Sequence, residues 1–316
     1  MSCNYQSHFQ NVESLGQYLL YTQLEHNIKH FLDWGFLNIG GFVNINRPTN
    51  NINNTAGFHK LSVVTDPAYA NGKVWETFKK QWVYESGIMY SESSPITISG
   101  IYVNNAFIPG PTGNVTYPYS FNYELGRVIF NNPISTTTDV QMNYSFKSIQ
   151  TYKSNDSFSD WKYLQEYTFK TGDVDKNIPA NHRIQLPTII VEPISRSDFK
   201  GYELGSTKYW ANQSVLLHVF AENYVEKNNI VDIIRLQKDK NIRLYDLSKV
   251  VKNKIYSLNP NGSKNLSGQN YDQLVSDDSE YLWRNGYINN VSVMDMDVLN
   301  LSIYYSTIRL DLEIIV

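Results

Sequence analysis

A single cysteine, Cys3, is the only thiol in the 316 residues. One thiol makes no internal disulfide, and no set of four ligands for a structural zinc gathers around it. Nothing therefore indicates an oxidising compartment. Long apolar runs are missing as well. No stretch of about 18 consecutive apolar residues occurs, so no bilayer-spanning helix and no membrane partner is expected. Residues 1–12 are polar, with Asn4, Gln6, Ser7, His8 and Gln10, and lack the apolar centre of a secretion signal. The expectation is a chain made and folded in cytoplasm. Charge of one sign is also scarce. Lys and Arg number 27 against 30 Asp and Glu, and the formal net charge is −3. A protein that binds by neutralising phosphates needs a basic run, and none is present. Sequence-specific nucleic-acid binding is not expected.

The usual signatures of catalysis are missing too. There is no glycine-rich phosphate loop and no Gly-x-Ser-x-Gly elbow. His26 and His30 lie four apart on a predicted helix, but the His-Glu-x-x-His text of a zinc site is absent, so both read as solvated helix residues. Asp173, Asp175 and Asn177 imitate the opening of a calcium loop. The required Gly and Glu are replaced by Ile178 and Ile184, so a polar turn is the better account. Asp277, Asp278, Ser279 and Glu280 read as a turn before Tyr281, and Asp295 with Asp297 as one solvent-facing strand face. No catalytic, cofactor-binding or metal-binding residue is assigned, and no cofactor is expected.

What is present is apolar and aromatic. The hydrophobic share is 41%, enough for a full core, and the aromatic share is 14%, with 24 Tyr. Tyrosine suits strands and also interfaces, where a rigid apolar ring carries a polar tip. The accompanying Asn, Ile and Lys are also what an AT-rich genome produces. The Asn-x-Ser/Thr triplets at Asn114 and Asn300 follow from that bias.

Periodicity predicts a helix over 12–34. Leu15, Leu19, Leu24, Ile28, Phe31 and Leu32 form its stripe, Gln17, Gln23, Glu25 and Lys29 its other side, and Gly35 its stop. An extended stretch over 36–46 and an Asn-rich loop over 48–56 follow. Trp75, Phe78 and Trp82 sit at helix-like steps, while Trp82 to Tyr84 reads equally as a strand. Over 96–152, short strands recur with turn signals between them: 98–103 and 106–108 around Asn104-Asn105, then 121–123 and 128–130 around Gly126. Val140, Met142, Tyr144 and Phe146 alternate as one strand with one buried face. Trp161, Tyr163, Tyr167 and Phe169 share one parity within polar surroundings. Strands over 184–191 and 215–220, a helix over 224–236 with Val225, Ile230, Ile233 and Ile234 toward the core, a strand over 241–247 and a flexible loop over 259–269 come next. A pair of alternating strands, 299–305 and 308–316, closes the chain. The aromatic groups at 75–82 and 161–169 read as core and interface packing ahead of a stacking platform for sugars or bases.

The expected fold is α+β and β-rich. Residues 1–90 and 161–316 make one α+β core, and 91–160 make an inserted small β-sandwich or barrel. The residues of 181–192, then Tyr202 to Gly205, Leu217 to Glu222 and Asn229 to Ile233 give a strand, a Gly-containing loop, an apolar strand and a helix. That order resembles virion structural proteins of tailed bacteriophages, in particular tail terminator and head–tail connector (neck) proteins. Ile101 to Asn104, Asn122 to Phe130 with its Leu125-Gly126-Arg127-Val128 turn, and Val140 to Phe146 resemble β modules that recur in such virions. The resemblance implies a tail-terminator-like core and a non-enzymatic protein of the virion tail or neck. It further implies a homo-oligomer, a hexameric ring that caps the tail tube, with tail-tube, tail-sheath or head-connector proteins as partners. A virion decoration or fibre-attachment module, binding a receptor or glycan through the β insertion, is the alternative.

Overall fold

The computed structural model describes residues 17–48, 57–65, 67–110, 116–154, 185–203, 208–295 and 303–315. The chain is β-rich with a few helices, an α+β arrangement. In order the elements are helix α1 (Leu20–Asn38) and strands β1 (Phe42–Ile45), β2 (Leu61–Val63), β3 (Val74–Thr77), β4 (Gly100–Val103) and β5 (Ala106–Pro109). Next come β6 (Tyr119–Asn122), β7 (Arg127–Phe130), β8 (Val140–Gln141), β9 (Tyr144–Lys147), β10 (Gln150–Lys153), β11 (Thr188–Gly201) and β12 (Tyr209–Ala221). Helix α2 (Tyr224–Arg235), strand β13 (Lys240–Tyr245), helices α3 (Leu247–Asn253) and α4 (Tyr271–Leu274), and strands β14 (Leu282–Asp295) and β15 (Tyr304–Ile315) complete it.

Six strands form the main sheet in the order β10-β11-β12-β15-β14-β13. Only the β10–β11 pair is parallel. At the centre β12 and β15 run in unbroken register from Trp210 against Ile315 to Ala221 against Tyr304. Their alternation sorts the side chains. Val215, Leu217, Val219, Ile308, Leu310, Leu312 and Ile314 face one core, and Ser214, His218, Thr307, Arg309 and Asp311 take the other side. Both long helices cover the apolar face. Helix α2 lies on the central strands, whereas α1 touches β10 and β11 at one edge and β13 at the other. Leu24, Ile28, Leu32 and Phe36 of α1 and Ile230, Val231 and Ile234 of α2 complete that cluster.

A second cluster belongs to the short strands, which pair as β2-β3-β7-β6, β5-β4-β8 and β1-β9. Its centre is Trp82, fully buried and met at steep angles by Phe121 and Tyr123. The Trp82 indole donates to Thr77 Oγ1 at 2.9 Å, so the polar tip is satisfied. This cluster takes Ile45, Leu61, Trp75 and Trp82 together with Ile98 to Phe146, residues on both sides of position 91.

Several local expectations need correction. Helix α1 passes Gly35 and runs to Asn38, because Phe36 and Leu37 continue the buried stripe. The left-handed residue that ends the path is Gly40, at φ 84°. No helix spans Trp75 to Trp82: Val74–Thr77 is a strand, and Trp82 bridges Phe146. The 140–146 run is two strands in different sheets, and Gln141, Ser145 and Lys147 are buried beside the apolar residues, so both faces are covered. Val225 on α2 points outward at 66% exposure. The final strand is continuous from Tyr304 and pairs with β14 and β12, while 299–302 lie outside the described residues. So do 161–169, the acidic run at 173–177, Cys3 and Asp297. The hairpin at Asn104-Asn105 is as expected, both residues being left-handed, and so is α2, which ends within a residue of its predicted stop.

Leu310 is buried at the centre of the main sheet, and Leu266 is 92% exposed. Leu310→Ala should cost about 2–5 kcal/mol in denaturant unfolding. Leu266→Ala should stay within about 0.5 kcal/mol. Equal effects of the two changes would contradict this packing.

Candidate functional site

Helix α1 does more than plug the sheet. Its second face, predicted as polar and solvated, is packed: Gln23, Glu25, Asn27 and Asp33 are all buried. Asn27 behaves as a strand neighbour for Tyr245, accepting from its backbone N–H at 2.8 Å and donating to its carbonyl at 3.0 Å. Gln23 accepts from the Leu247 N–H at 3.1 Å. The start of α3 and the end of β13 are thereby tied to α1 by amide groups, with all partners buried.

Further along the helix lies a buried ionic cluster. Asp33 Oδ2 takes Lys29 at 3.0 Å from its own helix and Lys147 at 3.2 Å from β9. Lys147 also reaches Glu85 at 2.7 Å and sits 4.8 Å from the Tyr84 ring centre. Burial by itself would raise the Asp33 carboxyl, but Lys147 and Lys29 more than offset it and hold it well below the usual carboxylate range. Burial likewise opposes the two ammonium groups, and Asp33 nevertheless keeps both above their ordinary value, helped by Glu85 at Lys147. Two cations and two anions cancel inside the protein.

Beside them runs a chain of polar rings. His26 Nδ1 meets the Tyr256 hydroxyl at 2.8 Å, Tyr256 meets Tyr245 at 3.3 Å, and Tyr245 meets His30 Nδ1 at 3.0 Å. Lys153 closes the other end on His26 Nε2 at 3.3 Å. The two histidines are thus held by hydrogen bonds and rings, not solvated as expected. His30 stacks on Tyr245 and meets Tyr256 edge-on. Burial, then the neighbouring Lys29 and His26, push its imidazole well below the usual range, so it is neutral at pH 7.

His26, Lys29, His30, Asp33, Glu85, Lys153 and Tyr256 line a cleft of about 980 Å³, at the upper end of the roughly 300–1,000 Å³ typical of small-ligand sites. Helix α1 forms one wall. Lys80, Gln81, Tyr84 and Glu85 with Glu124 to Arg127 form a second, and residues 256–260 with Gln269 to Tyr271 a third. Of the buried side-chain atoms without a partner among the described residues, Asp33 Oδ1, Gln81 Oε1, Thr151 Oγ1 and Gln269 Oε1 belong to residues lining it. Gln81 is also left-handed, at φ 50°, a conformation that costs about 1–3 kcal/mol and is found at functional sites. No group of three or more His, Cys, Asp or Glu placed to hold a metal occurs among the described residues.

Other polar features lie elsewhere. On the outer face of the main sheet Glu192, His218 and Tyr305 are linked by two contacts of 2.7 Å, which join β11, β12 and β15. Burial raises the Tyr305 phenol, which favours a donor over a nucleophile. Asp277 is exposed and pairs with Arg243 at 2.7 Å. Sequence reading saw the spacing of His26 and His30. It missed Lys147, Tyr245 and Tyr256, because their partners on α1 are more than a hundred residues away.

Two unlike apolar patches mark the ends of the main sheet. At one end Trp210, with Tyr202 stacked on it and Ile315 opposite it across the strands, is 40% exposed. At the other end Met294 is 45% exposed on the outer face, while Tyr224 and Val225, 58% and 66% exposed, begin the helix on the opposite face. Compared with known proteins, the chain matches no family model and no curated protein.

The neutral His30 sets a pH response. Below about pH 6.5 the unfolded chain takes up a proton that folded His30 refuses, so stability present at neutral pH is lost on acidification. Asp33 behaves differently: its contribution is present above about pH 4 and is lost only below that. His30→Asn should therefore remove up to about 1.4 kcal/mol per pH unit of the slope between about pH 6.5 and 5, read by denaturant unfolding. An unchanged slope would contradict the buried neutral imidazole.

Proposed function

We propose that this chain is a non-catalytic structural protein of a tailed-bacteriophage virion, forming a ring at the head–tail junction or tail end. On this reading the helix-backed main sheet is the tail-terminator-like α+β core, and the aromatic cluster of short strands is a small β-sandwich or barrel set into it. The ring caps the tail tube and joins it to the head connector, with tail-tube, sheath or connector proteins as neighbours in the virion tail or neck.

The observation that carries the reading is that large apolar side chains stand exposed at both ends of the main sheet, in unlike sets. Twelve register pairs separate Trp210 from Ala221, which at about 3.4 Å per residue is roughly 35–40 Å. Large exposed apolar side chains gathered at a strand end favour burial against another protein. Unlike patches at the two ends of a protomer favour heterologous contact, in which one end meets the other end of the next copy, and such contacts close into rings when the rotation allows. The sequence resemblance supports the same arrangement. A second reading, a decoration or fibre-attachment module that binds a receptor or glycan, draws support from the cleft.

Analytical ultracentrifugation and negative-stain imaging of the full chain test the proposal. Wild type should sediment as a closed oligomer with ring-shaped particles. The double variant Trp210→Ser, Ile315→Ser should shift it to monomer while the thermal midpoint stays within a few degrees. A monomer at every concentration, or rings indifferent to the two substitutions, would overturn it.

A further inference from the structure

We infer that His26 is an acid-sensitive latch between helix α1 and the edge strand β10. A proton taken up by its ring breaks the contact to Lys153 and loosens one wall of the cleft. The inference stands apart from ring formation and concerns a different surface.

The first argument is the direction of the hydrogen bonds. A lysine ammonium only donates, having no lone pair to offer. Lys153 Nζ lies 3.3 Å from His26 Nε2, so that ring nitrogen is the acceptor. A neutral imidazole carries one proton, which therefore sits on Nδ1 and is donated to the Tyr256 hydroxyl oxygen at 2.8 Å. A further proton has only Nε2 to go to. There it turns the acceptor of Lys153 into a donor and sets two positive charges 3.3 Å apart. Like charges that close repel, and each disfavours the other. The contact to Tyr256 survives, because Nδ1 carries a proton in both forms. The break falls on the Lys153 side alone.

The second argument is what Lys153 holds. Strand β10 is four residues long, lies at the edge of the main sheet and pairs with β11 alone among the described residues. Lys153 is its last residue. This strand end is tied to α1 at two points, Lys153 on His26 and Ser154, whose hydroxyl donates to Glu25 at 3.0 Å. His26 and Lys153 both line the cleft and are partly exposed, so solvent protons reach the ring.

The third argument is the charge around the ring. On its own helix the titratable neighbours are Glu25, Lys29 and His30. Glu25 is 3% exposed and occupied by Ser154, and successive helix residues do not face each other. Lys29 is committed to Asp33. Burial, Lys29 and His26 keep His30 neutral, so it is no second sensor. The wall after α3 presents Lys254 and Tyr256, with Tyr245 of β13 behind Tyr256. On the short-strand wall Glu85 is held by Lys147 and Arg127 by Glu76, and Glu124 acts on Lys29. Lys153 is thus the charged group in direct contact with His26, and a proton on the ring is felt there first.

Solid-state 15N NMR of the sedimented full chain, labelled at histidine and lysine, provides the test at any oligomeric size. His26→Gln assigns the ring among the six histidines. At pH 8 His26 should carry its proton on Nδ1, with a through-space contact from Nε2 to the Lys153 ammonium. That contact should vanish once acidification charges the ring. Lys153→Met removes the opposing cation and should raise the His26 titration midpoint by about one pH unit or more, a tenfold gain in proton affinity. A proton on Nε2 at pH 8 would overturn the inference. So would a Lys153 contact that persists on the charged ring, or a midpoint indifferent to Lys153→Met.

Discussion

An ionised carboxylate removed from water must be matched by positive charge at close range, or it will not stay ionised. Asp33 meets that condition through Lys29 on its own helix and Lys147 on β9, and Lys147 is in turn balanced by Glu85. The match constrains the rest of the molecule. It ties α1, the plug of the main sheet, to the cluster of short strands. It fixes the position of the adjacent helical turns, from which His26 and His30 reach the tyrosines and Asn27 reaches Tyr245. The cleft is the space that remains between elements held in this way.

The two clusters of the fold differ in how each sheet is covered. The main sheet is apolar on one side and polar on the other, the usual solution for an antiparallel sheet backed by helices. Its long central strands run past the helical cover, and large side chains are left in water at both ends. The short-strand cluster instead buries aromatic residues around Trp82 and leaves no comparable continuous sheet. The exposed large apolar side chains at strand ends therefore belong to the main sheet, and the enclosed polar space to its junction with the short strands.

Legibility in the sequence followed the range of the forces involved. Helix α2 was readable because Ile230 and Ile234, one turn apart, mark one buried face. The Asn104-Asn105 hairpin and the alternation along β15 were readable for the same reason: the cause lies within a few residues of the effect. The Trp75 to Trp82 stretch was not, since strands of three or four residues give too short a sample of period two. Strand β14 was missed because Arg284, Asn285, Asn289 and Asn290 interrupt its apolar pattern, and its register shifts between Ile288 and Asn290. The cleft was the least legible part. Spacing showed His26 and His30 on one helix face, but Lys147 looked like the polar residue after a strand, and only the tertiary fold brings it to Asp33.

The coupling between Asp33 and Lys147 is the quantity on which this account depends most directly. A double-mutant cycle with Asp33→Asn and Lys147→Met, followed by denaturant unfolding, measures it. Each single change leaves a buried charge unmatched and should cost about 3–5 kcal/mol. The double variant should cost less than their sum by at least about 1.5 kcal/mol, within the range found for residues that share one network. Additive costs, equal to the sum within about 0.5 kcal/mol, would contradict the claim that this ion cluster joins the two parts of the fold.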